Sequence, residues 1–391
     1  MRRVLELALV ALLVAQGRAQ EPLLGAPLLA YTRADHADVW LYDVQADTAR
    51  RLRLGEGLHH VWGFSPDGCR LLASLDAGRL GGRLFSLSLD GTDVRSLVAY
   101  DELPPQAWGV WEATWSPDGQ RIAFIMLREQ PERGQVVVAR HLAIIPSEGG
   151  APQFYSVTGR EHSPAWSPDG ALLAYTSYDE RPVGADPLST AAPTLVPEAG
   201  VSPSPPVTVS EADLWLIRAD GQAKTRLTNF SVGSVTMPRW SPDGALLGFV
   251  YSPTPNNDLF WMIAPQANAI PTQLSLGGVN VLDLAWLPDS TALLASARNM
   301  QGISENILWR VPLVGLADTD SAPLLPEAAG LGSADFPRWS ADGRILALRS
   351  AYALALWDAE SQQARFIADS LGNTPPHWSP AGFQGETGCR P

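Results

Sequence analysis

Residues 240–244 read Trp240-Ser-Pro-Asp-Gly244, and this pentapeptide recurs along the chain of 391 residues. The copies vary, but each begins with an aromatic residue, at Phe64, Trp115, Trp166, Trp240, Trp286, Trp339 and Trp378. The steps between these aromatic residues are 51, 51, 74, 46, 53 and 39 residues. Recurrence at such spacing predicts an array of similar structural units, since a repeated period is the signature of repeat architectures.

The pentapeptide predicts the tip of a β-hairpin. Ser, Pro and Gly stand at the first, second and fourth positions, where a type I turn favours them. A short apolar strand follows each tip, as in Leu172-Leu-Ala-Tyr175, and then a strand that often contains Trp, as in Asp213-Leu-Trp-Leu-Ile217. A polar turn and a further strand, as in Lys224-Thr-Arg-Leu-Thr228, complete the unit. Four short strands per unit are typical of a β-propeller blade.

The two chain ends predict how the array closes. Residues 28–33 and 39–43 match the two strands that follow a tip, but no pentapeptide precedes them, whereas no strands follow the copy at Trp378. The C-terminal strand is therefore predicted to be the innermost strand of the blade that residues 27–54 begin. The sequence thus predicts an all-β fold, a seven-bladed β-propeller of four-stranded antiparallel blades. Pairing of the N- and C-terminal segments closes it, within a single domain over residues 20–391.

The repeated residues of the motif are predicted to be structural. An Asp in a turn commonly accepts hydrogen bonds from nearby backbone N–H groups, and a repeated Trp packs between blades. The structural set is Asp67, Gly68, Trp115, Asp118, Gly119, Trp166, Asp169, Gly170, Trp240, Asp243, Gly244, Trp286, Asp289, Trp339, Asp342, Gly343 and Trp378.

The chain contains two cysteines, and their positions suggest a pairing. Cys69 follows the first hairpin tip directly, and Cys389 lies shortly after the last tip, in the adjacent closing blade. Both are therefore expected on one face, which predicts a Cys69–Cys389 disulfide in an oxidising compartment. The alternative is a buried Cys69 and a frayed Cys389.

The N-terminal residues 1–19 are typical of a secretory signal peptide. Arg2 and Arg3 precede the apolar stretch 4–15, and Gly17-Arg18-Ala19 supplies the small residues of a cleavage site after Ala19. A retained membrane anchor is the alternative. No later stretch approaches the length of a spanning helix, so the mature chain is expected to have no integral membrane span. It is expected in the periplasm or outside the cell, as a monomer.

The charge of the chain is acidic, with 28 Lys+Arg against 41 Asp+Glu and a formal net charge of −13. Because nucleic-acid binding needs clustered Lys and Arg, a nucleic-acid partner is not expected. Two cysteines and six histidines without a familiar ligand spacing predict neither a metal nor a cofactor. No Gly-x-Ser-x-Gly elbow of a serine hydrolase occurs in the sequence.

The longest form of the motif, Pro238-Arg-Trp-Ser-Pro-Asp-Gly244, is similar to the repeat of TolB-type propellers. Residues 337–340 and 376–380 match that repeat in part. The chain therefore resembles the TolB-like and WD-like β-propeller repeat family over nearly all of its mature length, and the resemblance implies the fold. TolB-like proteins carry an α/β domain before the propeller and are typically six-bladed. This chain is expected to differ in both respects, since the first blade follows the signal closely and seven blades are expected.

Candidate binding residues fall into two groups. Trp108 and Trp111 lie in a long inter-blade connection beside acidic residues, which suits a peptide or a sugar; alternatively they cover the underside of their own loop. The second group is expected near one mouth of the channel, either as a site or as ordinary loop and interface residues. His59, His60 and His162 come just before innermost strands, His377 lies within one, and Arg239 and Arg338 directly precede a motif Trp.

A Pro-rich insertion at about 182–210 lengthens the step of 74 residues and joins the second and third strands of its blade. It is expected on the connection face, either as a lid or docking arm or as a solvated loop.

Two functions fit these residues. The first is a non-enzymatic binding or scaffold protein for a protein or a cell-envelope polymer, and we favour it since no catalytic motif is evident. The alternative is a hydrolase or lyase that acts on a sugar or lactone at the channel mouth. Convergence of three or more candidate His and Arg residues in one pocket, with a bound metal or perturbed pKa values, would favour the enzyme.

Overall fold

The computed structural model of the chain describes residues 27–34, 38–52, 59–76, 82–100, 103, 108–132, 135–155, 159–182, 208–230, 232–274, 279–299, 306–314, 331–372, 374–383, 385 and 389. The predicted signal peptide and residues 183–207 of the predicted insertion lie outside the described residues.

The described residues contain β-strands and no α-helix. The strands are β1 (Leu28–Thr32), β2 (Val39–Asp43), β3 (Thr48–Leu52), β4 (His59–Phe64), β5 (Arg70–Asp76), β6 (Gly82–Ser88), β7 (Val94–Ser96), β8 (Trp108–Trp115), β9 (Arg121–Glu132), β10 (Gln135–Pro146), β11 (Gln153–Phe154), β12 (Glu161–Trp166), β13 (Leu172–Pro182), β14 (Thr208–Arg218), β15 (Thr225–Arg226), β16 (Ser234–Trp240), β17 (Leu247–Thr254), β18 (Asn257–Ile263), β19 (Thr272–Gln273), β20 (Val279–Trp286), β21 (Ala292–Asn299), β22 (Asn306–Pro312), β23 (Ala334–Trp339), β24 (Ile345–Ser350), β25 (Ala353–Asp358), β26 (Gln363–Ala368) and β27 (His377–Trp378).

The strands pair in antiparallel units, each built around a strand that ends at a motif aromatic residue. The units are β4–β7, β8–β11, β12–β15, β16–β19, β20–β22, β23–β26, and β27 with β1–β3. Bridges of a single residue pair join some neighbouring units, for example between β6 and β8, between β14 and β16, and between β18 and β20. The prediction of an all-β fold of antiparallel strands is confirmed.

The N-terminal strand β1 pairs with the C-terminal strand β27. Leu29 lies opposite Trp378 and Ala30 opposite His377. Leu28 N donates to Ser379 Oγ, and Ser379 N donates to the Leu28 carbonyl oxygen, both at 2.9 Å. The two ends of the chain therefore belong to one sheet.

The hydrophobic core is divided into clusters that each lie between two units. Leu41 of β2 and Leu71 of β5 share one cluster, for example. Another cluster joins Leu29 of β1 to Leu356 of β25, so the N-terminal strands also pack against the last complete unit. Each motif Trp packs in one of these clusters, the residues being Trp115, Trp166, Trp240, Trp286, Trp339 and Trp378.

The hairpin tips show how the pentapeptide works. At residues 115–119 the Gly119 N–H donates to the Ser116 carbonyl oxygen at 2.9 Å, which closes the turn. The Ser116 hydroxyl and the Gln120 N–H both donate to Asp118 Oδ1, and these bonds lower the pKa of the Asp118 carboxyl. Gly119 has φ of 69°, a conformation that glycine adopts without strain. The Asp118 carboxylate therefore accepts its hydrogen bonds from residues of its own turn.

Successive tips also touch one another. A Cβ added at Gly119 would lie 3.6 Å from Pro66 of the preceding tip, and one at Gly170 would lie 3.6 Å from Pro117. At Gly68 a Cβ would lie 2.5 Å from Phe383, which follows the C-terminal tip. The tip that starts the array therefore packs against the C-terminal segment.

Cys69 and Cys389 form a disulfide with an S–S distance of 2.10 Å and a Cα–Cα distance of 5.3 Å. They are 320 residues apart in the sequence, so the bond links the first tip to the C-terminal tail.

The strand boundaries differ from the sequence expectation at several candidate residues. Trp108 and Trp111 lie within β8 and not in a connection, and His59, His60 and His162 lie within β4 and β12 and not before them. The innermost strands start earlier because they continue past a β-bulge, which breaks the alternation of side chains that the sequence pattern relies on. The insertion is also shorter than expected, since Pro182, the last residue of β13, still pairs with Thr208, the first residue of β14.

Candidate functional site

A β-bulge recurs in the innermost strands, just before the motif aromatic residue. In four strands the residue three positions before the motif Trp has positive φ, namely Glu112 (50°), Ser163 (52°), Met237 (53°) and Phe336 (53°). Positive φ is costly for residues other than glycine and is concentrated at functional sites. A bulge also redirects side chains, so these positions turn toward the space that the strands surround.

A cavity of about 820 Å³ lies between these strands. Its lining combines residues of many units, including His60 of β4, Trp111 and Glu112 of β8, Arg239 of β16, Asp283 of β20, Arg338 of β23 and His377 of β27. Ligand pockets in proteins fall in the same size range, about 300–1,000 Å³. Residues distant in sequence therefore meet in a space that can hold a ligand.

Two arginines share one aspartate in this cavity. Arg338 Nη1 lies 2.6 Å from Asp283 Oδ2, and Arg239 Nη2 lies 3.6 Å from Asp283 Oδ1. The Asp283 side chain is 6% exposed and also accepts the Leu284 N–H at 2.9 Å. We call Arg239, Asp283 and Arg338 the arginine cluster.

The motif Trp of the next unit fixes the backbone of each arginine. Trp286 Nε1 donates to the Arg239 carbonyl oxygen at 2.9 Å, and Trp378 Nε1 donates to the Arg338 carbonyl oxygen at 2.8 Å. Trp240 makes the same bond to the Ala165 carbonyl oxygen at 2.9 Å. Each of these tryptophans therefore holds the residue that precedes the motif Trp of the preceding unit. For Arg239 and Arg338 this hydrogen bond links the repeated motif to the cavity.

Glu112 carries a partly buried carboxyl in the cavity wall. Its Oε2 accepts the Ser163 N–H at 2.6 Å, so it joins β8 to the neighbouring β12. Burial raises the pKa of the Glu112 carboxyl, against the opposing effects of the Ser163 hydrogen bonds and the charges of Arg239 and Arg140. A carboxyl with a raised pKa can hold or release a proton nearer to neutral pH than an ordinary one.

His377 is held in its neutral form. Burial and the charge of Arg338 lower the pKa of His377 to about 3, although a hydrogen bond to the Val61 backbone opposes the shift. Its Nε2 is buried without a hydrogen-bond partner among the described residues. The bond to Val61 is therefore made by Nδ1–H, and it connects β27 to β4.

Three aromatic rings form a group in the cavity wall. The His60 ring stacks on Trp62 at 5.7 Å between centroids, and Trp111 meets both rings edge-on, at 5.6 Å from His60 and 5.9 Å from Trp62. Trp111 is 41% exposed. We call these three residues the aromatic group; it offers apolar ring surface within the same cavity as the arginine cluster.

The cavity unites part of the predicted set. Trp111, His60, Arg239, Arg338 and His377 line it. Trp108 instead packs 6.0 Å from Phe154, under the guanidinium of Arg128. His162 lies edge-on to Tyr178 at 5.4 Å, and burial next to Arg140 lowers its pKa to about 4. The side chain of His59 is outside the described residues.

Sequence reasoning missed Glu112 and Asp283. Both stand three positions before a motif Trp, as do Ser163 and Met237, which also line the cavity. Aligning the repeats on the motif and reading this position would have found them.

Within the residues that the structure describes, no group of three or more His, Cys, Asp or Glu side chains is arranged to hold a metal ion. In the same residues, no helix is long and apolar enough to cross a membrane.

No protein-family model matches the chain. An uncharacterised protein of Agrobacterium fabrum is 25% identical over 146 residues, which are 36% of this chain and 47% of that protein. The match spans about half the length of this curated relative.

Solved structures resemble the chain more extensively. An oligogalacturonate lyase of Vibrio parahaemolyticus is 13% identical, with a TM-score of 0.56 and coverage of 86% of this chain and 92% of that one. An oligogalacturonate lyase solved with manganese is 16% identical, with a TM-score of 0.54 and coverage of 86% and 83%. TolB of Acinetobacter baumannii is 13% identical, with a TM-score of 0.46 and coverage of 88% of this chain and 79% of that one. At these identities the comparisons show the fold alone, and the fold is that of a β-propeller.

Proposed function

We propose that the chain is an exported TolB-like β-propeller that binds a protein or a cell-envelope polymer without catalysing a reaction. The binding site is the cavity between the innermost strands. A binding role needs a ligand-sized space lined by ring surface and fixed charges, and the cavity offers both in the aromatic group and the arginine cluster. This combination in one cavity is the observation that carries the proposal.

The proposal includes seven blades in one domain of residues 20–391, closed by the chain ends. The β1–β27 pairing supports closure, since it places the first and last strands in one sheet. The cluster of Leu29 and Leu356 supports it as well, because it fills the space between the N-terminal strands and the β23–β26 unit.

The cavity can be tested with arrays of envelope oligosaccharides and peptides. The variant Trp111→Ala removes an exposed ring from the cavity wall, and Tyr352→Ala removes a ring that is 79% exposed and lies outside the lining. We expect a ligand that binds the wild type and Tyr352→Ala equally. Its affinity for Trp111→Ala is expected to be lower by a factor of about ten or more. Binding that both variants retain in full would place the ligand elsewhere and contradict the proposal.

Export is tested by fractionation and N-terminal sequencing of the mature protein. We expect the chain in the periplasm or the medium, as a monomer, beginning at Gln20. A cytoplasmic chain with its first residues intact would contradict this part of the proposal.

A hydrolase or lyase that acts on a sugar or lactone is the second candidate. The observation in its favour is Glu112, whose raised pKa and proximity to Arg239 suit a general acid or base. Convergence of His60, Arg239, Arg338 and His377 on the cavity also supports it, although His377 stays neutral and its Nε2 is buried.

Mass spectrometry of a bound array ligand after incubation separates the two functions. An enzyme gives a product with the wild type and none with Glu112→Gln, while both proteins bind the ligand. A binding protein leaves the ligand intact in both cases.

A further inference from the structure

The two guanidinium groups of the cavity share one carboxylate contact. Among the described residues, Arg239 and Arg338 both form their ion pairs with Asp283. A second carboxyl of the wall, Glu112, accepts hydrogen bonds from the Ser163 N–H and hydroxyl. An anionic ligand group would therefore give the two arginines a further partner beside Asp283.

The arginines keep hydrogen-bond donors for such a group. Arg338 uses Nη1 for Asp283 and for the Pro337 carbonyl oxygen, and within the described residues its Nε and Nη2 make no hydrogen bond. The Arg338 side chain is 21% exposed and that of Arg239 is 37% exposed, and both line the cavity. Their exposed surface is thus available where a ligand would lie.

The arginine positions are also fixed before any ligand arrives. Arg239 Nε donates to the Leu284 carbonyl oxygen at 3.1 Å, and Nη1 donates to the Pro238 carbonyl oxygen at 3.2 Å. The indoles of Trp286 and Trp378 fix the two arginine backbones. A ligand therefore meets preorganised donors and loses little free energy in ordering them.

The chemistry of this arrangement selects a class of ligand. A planar guanidinium matches a planar carboxylate, and the Asp283 carboxylate between the two arginines repels a phosphate dianion more strongly than a monoanion. The aromatic group, in the same cavity, suits a ring.

Building on the proposed function, we propose that the cavity binds a carboxylate carried next to a ring. The carboxylate contacts Arg338 and Arg239, and the ring packs against Trp111. The same group occurs in an acidic sugar and in an aromatic residue at the C-terminus of a peptide, so the experiment has an arm for each source.

The test is ligand-observed NMR and calorimetry with matched acid and amide probes. The sugar arm compares D-glucuronate with D-glucuronamide, and the peptide arm compares N-acetyl-L-tyrosine with its amide. Glucose 6-phosphate serves as the dianion. We expect the acid of at least one pair to bind about tenfold more tightly than its amide and than the phosphate.

The variants locate the carboxylate. Arg338→Gln is expected to abolish the preference for the acid. Arg338→Lys is expected to keep part of it, because lysine supplies the positive charge but not the planar pair of N–H donors. Arg218→Gln is the control, since Arg218 is 60% exposed and lies outside the lining. If circular dichroism shows that Arg338→Gln does not fold, Arg239→Gln provides the same test.

The outcomes separate this inference from the proposed function. If acid and amide bind equally, and Trp111→Ala loses both, the inference that the cavity recognises a carboxylate is overturned. The cavity then remains the binding site. If glucose 6-phosphate binds more tightly than the acid probes, the inference that the cavity recognises a carboxylate is overturned as well. If no probe binds and the arrays also give no ligand that depends on Trp111, both proposals fail.

Discussion

Trp378 donates its indole N–H to the carbonyl oxygen of Arg338 over 2.8 Å, across the boundary between two units. The bond ties a structural residue of the last motif to a charged residue of the cavity. Trp339, at the same position of the preceding motif, has a buried Nε1 with no hydrogen-bond partner among the described residues. The repeat therefore contains a matched pair of tryptophans that differ in this bond.

The first prediction compares Trp378→Phe with Trp339→Phe. Both substitutions remove a similar volume, but only Trp378→Phe leaves a carbonyl oxygen without its donor. We expect Trp378→Phe to lose about 1 kcal/mol more of the free energy of unfolding. Urea denaturation followed by circular dichroism measures the difference, and equal losses would show that the bond contributes nothing.

The second prediction concerns the pH dependence of stability at Glu112. Its folded pKa lies above the ordinary glutamate value, so the folded state binds the proton more tightly than the unfolded state does. The wild type therefore loses stability as pH rises through this range, and Glu112→Gln does not lose this contribution. We expect the Tm of Glu112→Gln to exceed that of the wild type by a margin that grows with pH.

The control for Glu112 is Glu148→Gln, since the Glu148 side chain is 78% exposed. We expect no comparable growth of the Tm difference with pH for this variant. A constant difference for Glu112→Gln, measured by differential scanning fluorimetry from acidic to neutral pH, would contradict the raised pKa.

The third prediction concerns the contact between the first tip and the C-terminal segment. Gly68→Ala and Gly382→Ala both place a Cβ at positive φ, which costs about 1–2 kcal/mol. At Gly382 the new Cβ meets no described atom within 4 Å, whereas at Gly68 it meets the Phe383 ring. We expect the greater loss of stability for Gly68→Ala, by chemical denaturation.

Combining Gly68→Ala with Phe383→Ala separates the clash from the backbone strain. The loss in the double variant is expected to be smaller than the sum of the two single losses, because the ring that the Cβ meets is gone. Additive losses would show that the ring moves aside freely.

The fourth prediction concerns the disulfide. Cys389→Ser is expected to lower the free energy of unfolding by about 2–5 kcal/mol, since the bond restricts the unfolded chain across a separation of 320 residues. A reductant is expected to lower the Tm of the wild type and to leave that of Cys389→Ser unchanged. A wild-type Tm that is insensitive to full reduction would contradict the prediction.

The sequence was sufficient to predict the tips and the pairing of the ends. The Ser-Pro-Asp-Gly turn depends on bonds within about five residues, as the contacts of Ser116 and Asp118 show, so local chemistry determines it. The match between residues 28–33 and the strands that follow a tip was enough to place β1 beside β27.

The cavity wall was harder to predict because it depends on β-bulges. One extra residue moves Glu112 and Ser163 out of simple alternation, and the sequence does not mark where the extra residue falls. Trp108 and Trp111 belong to different surroundings for another reason: they lie three residues apart in the regularly paired part of β8, so their side chains are on opposite faces of the strand. Which charges meet across units, such as Arg338 and Asp283, depends on the packing of whole units.

The pairing of β1 with β27 has a consequence for how the protein is made. Leu29 obtains its partner Trp378 only after the ribosome has added about 350 further residues. Until then β1 can pair with β2 on one side only, and its other edge has no partner. Contacts between residues so distant in sequence form slowly. Nascent chains that stop before Trp378 keep this edge of β1 open and are the ones expected to aggregate or be degraded.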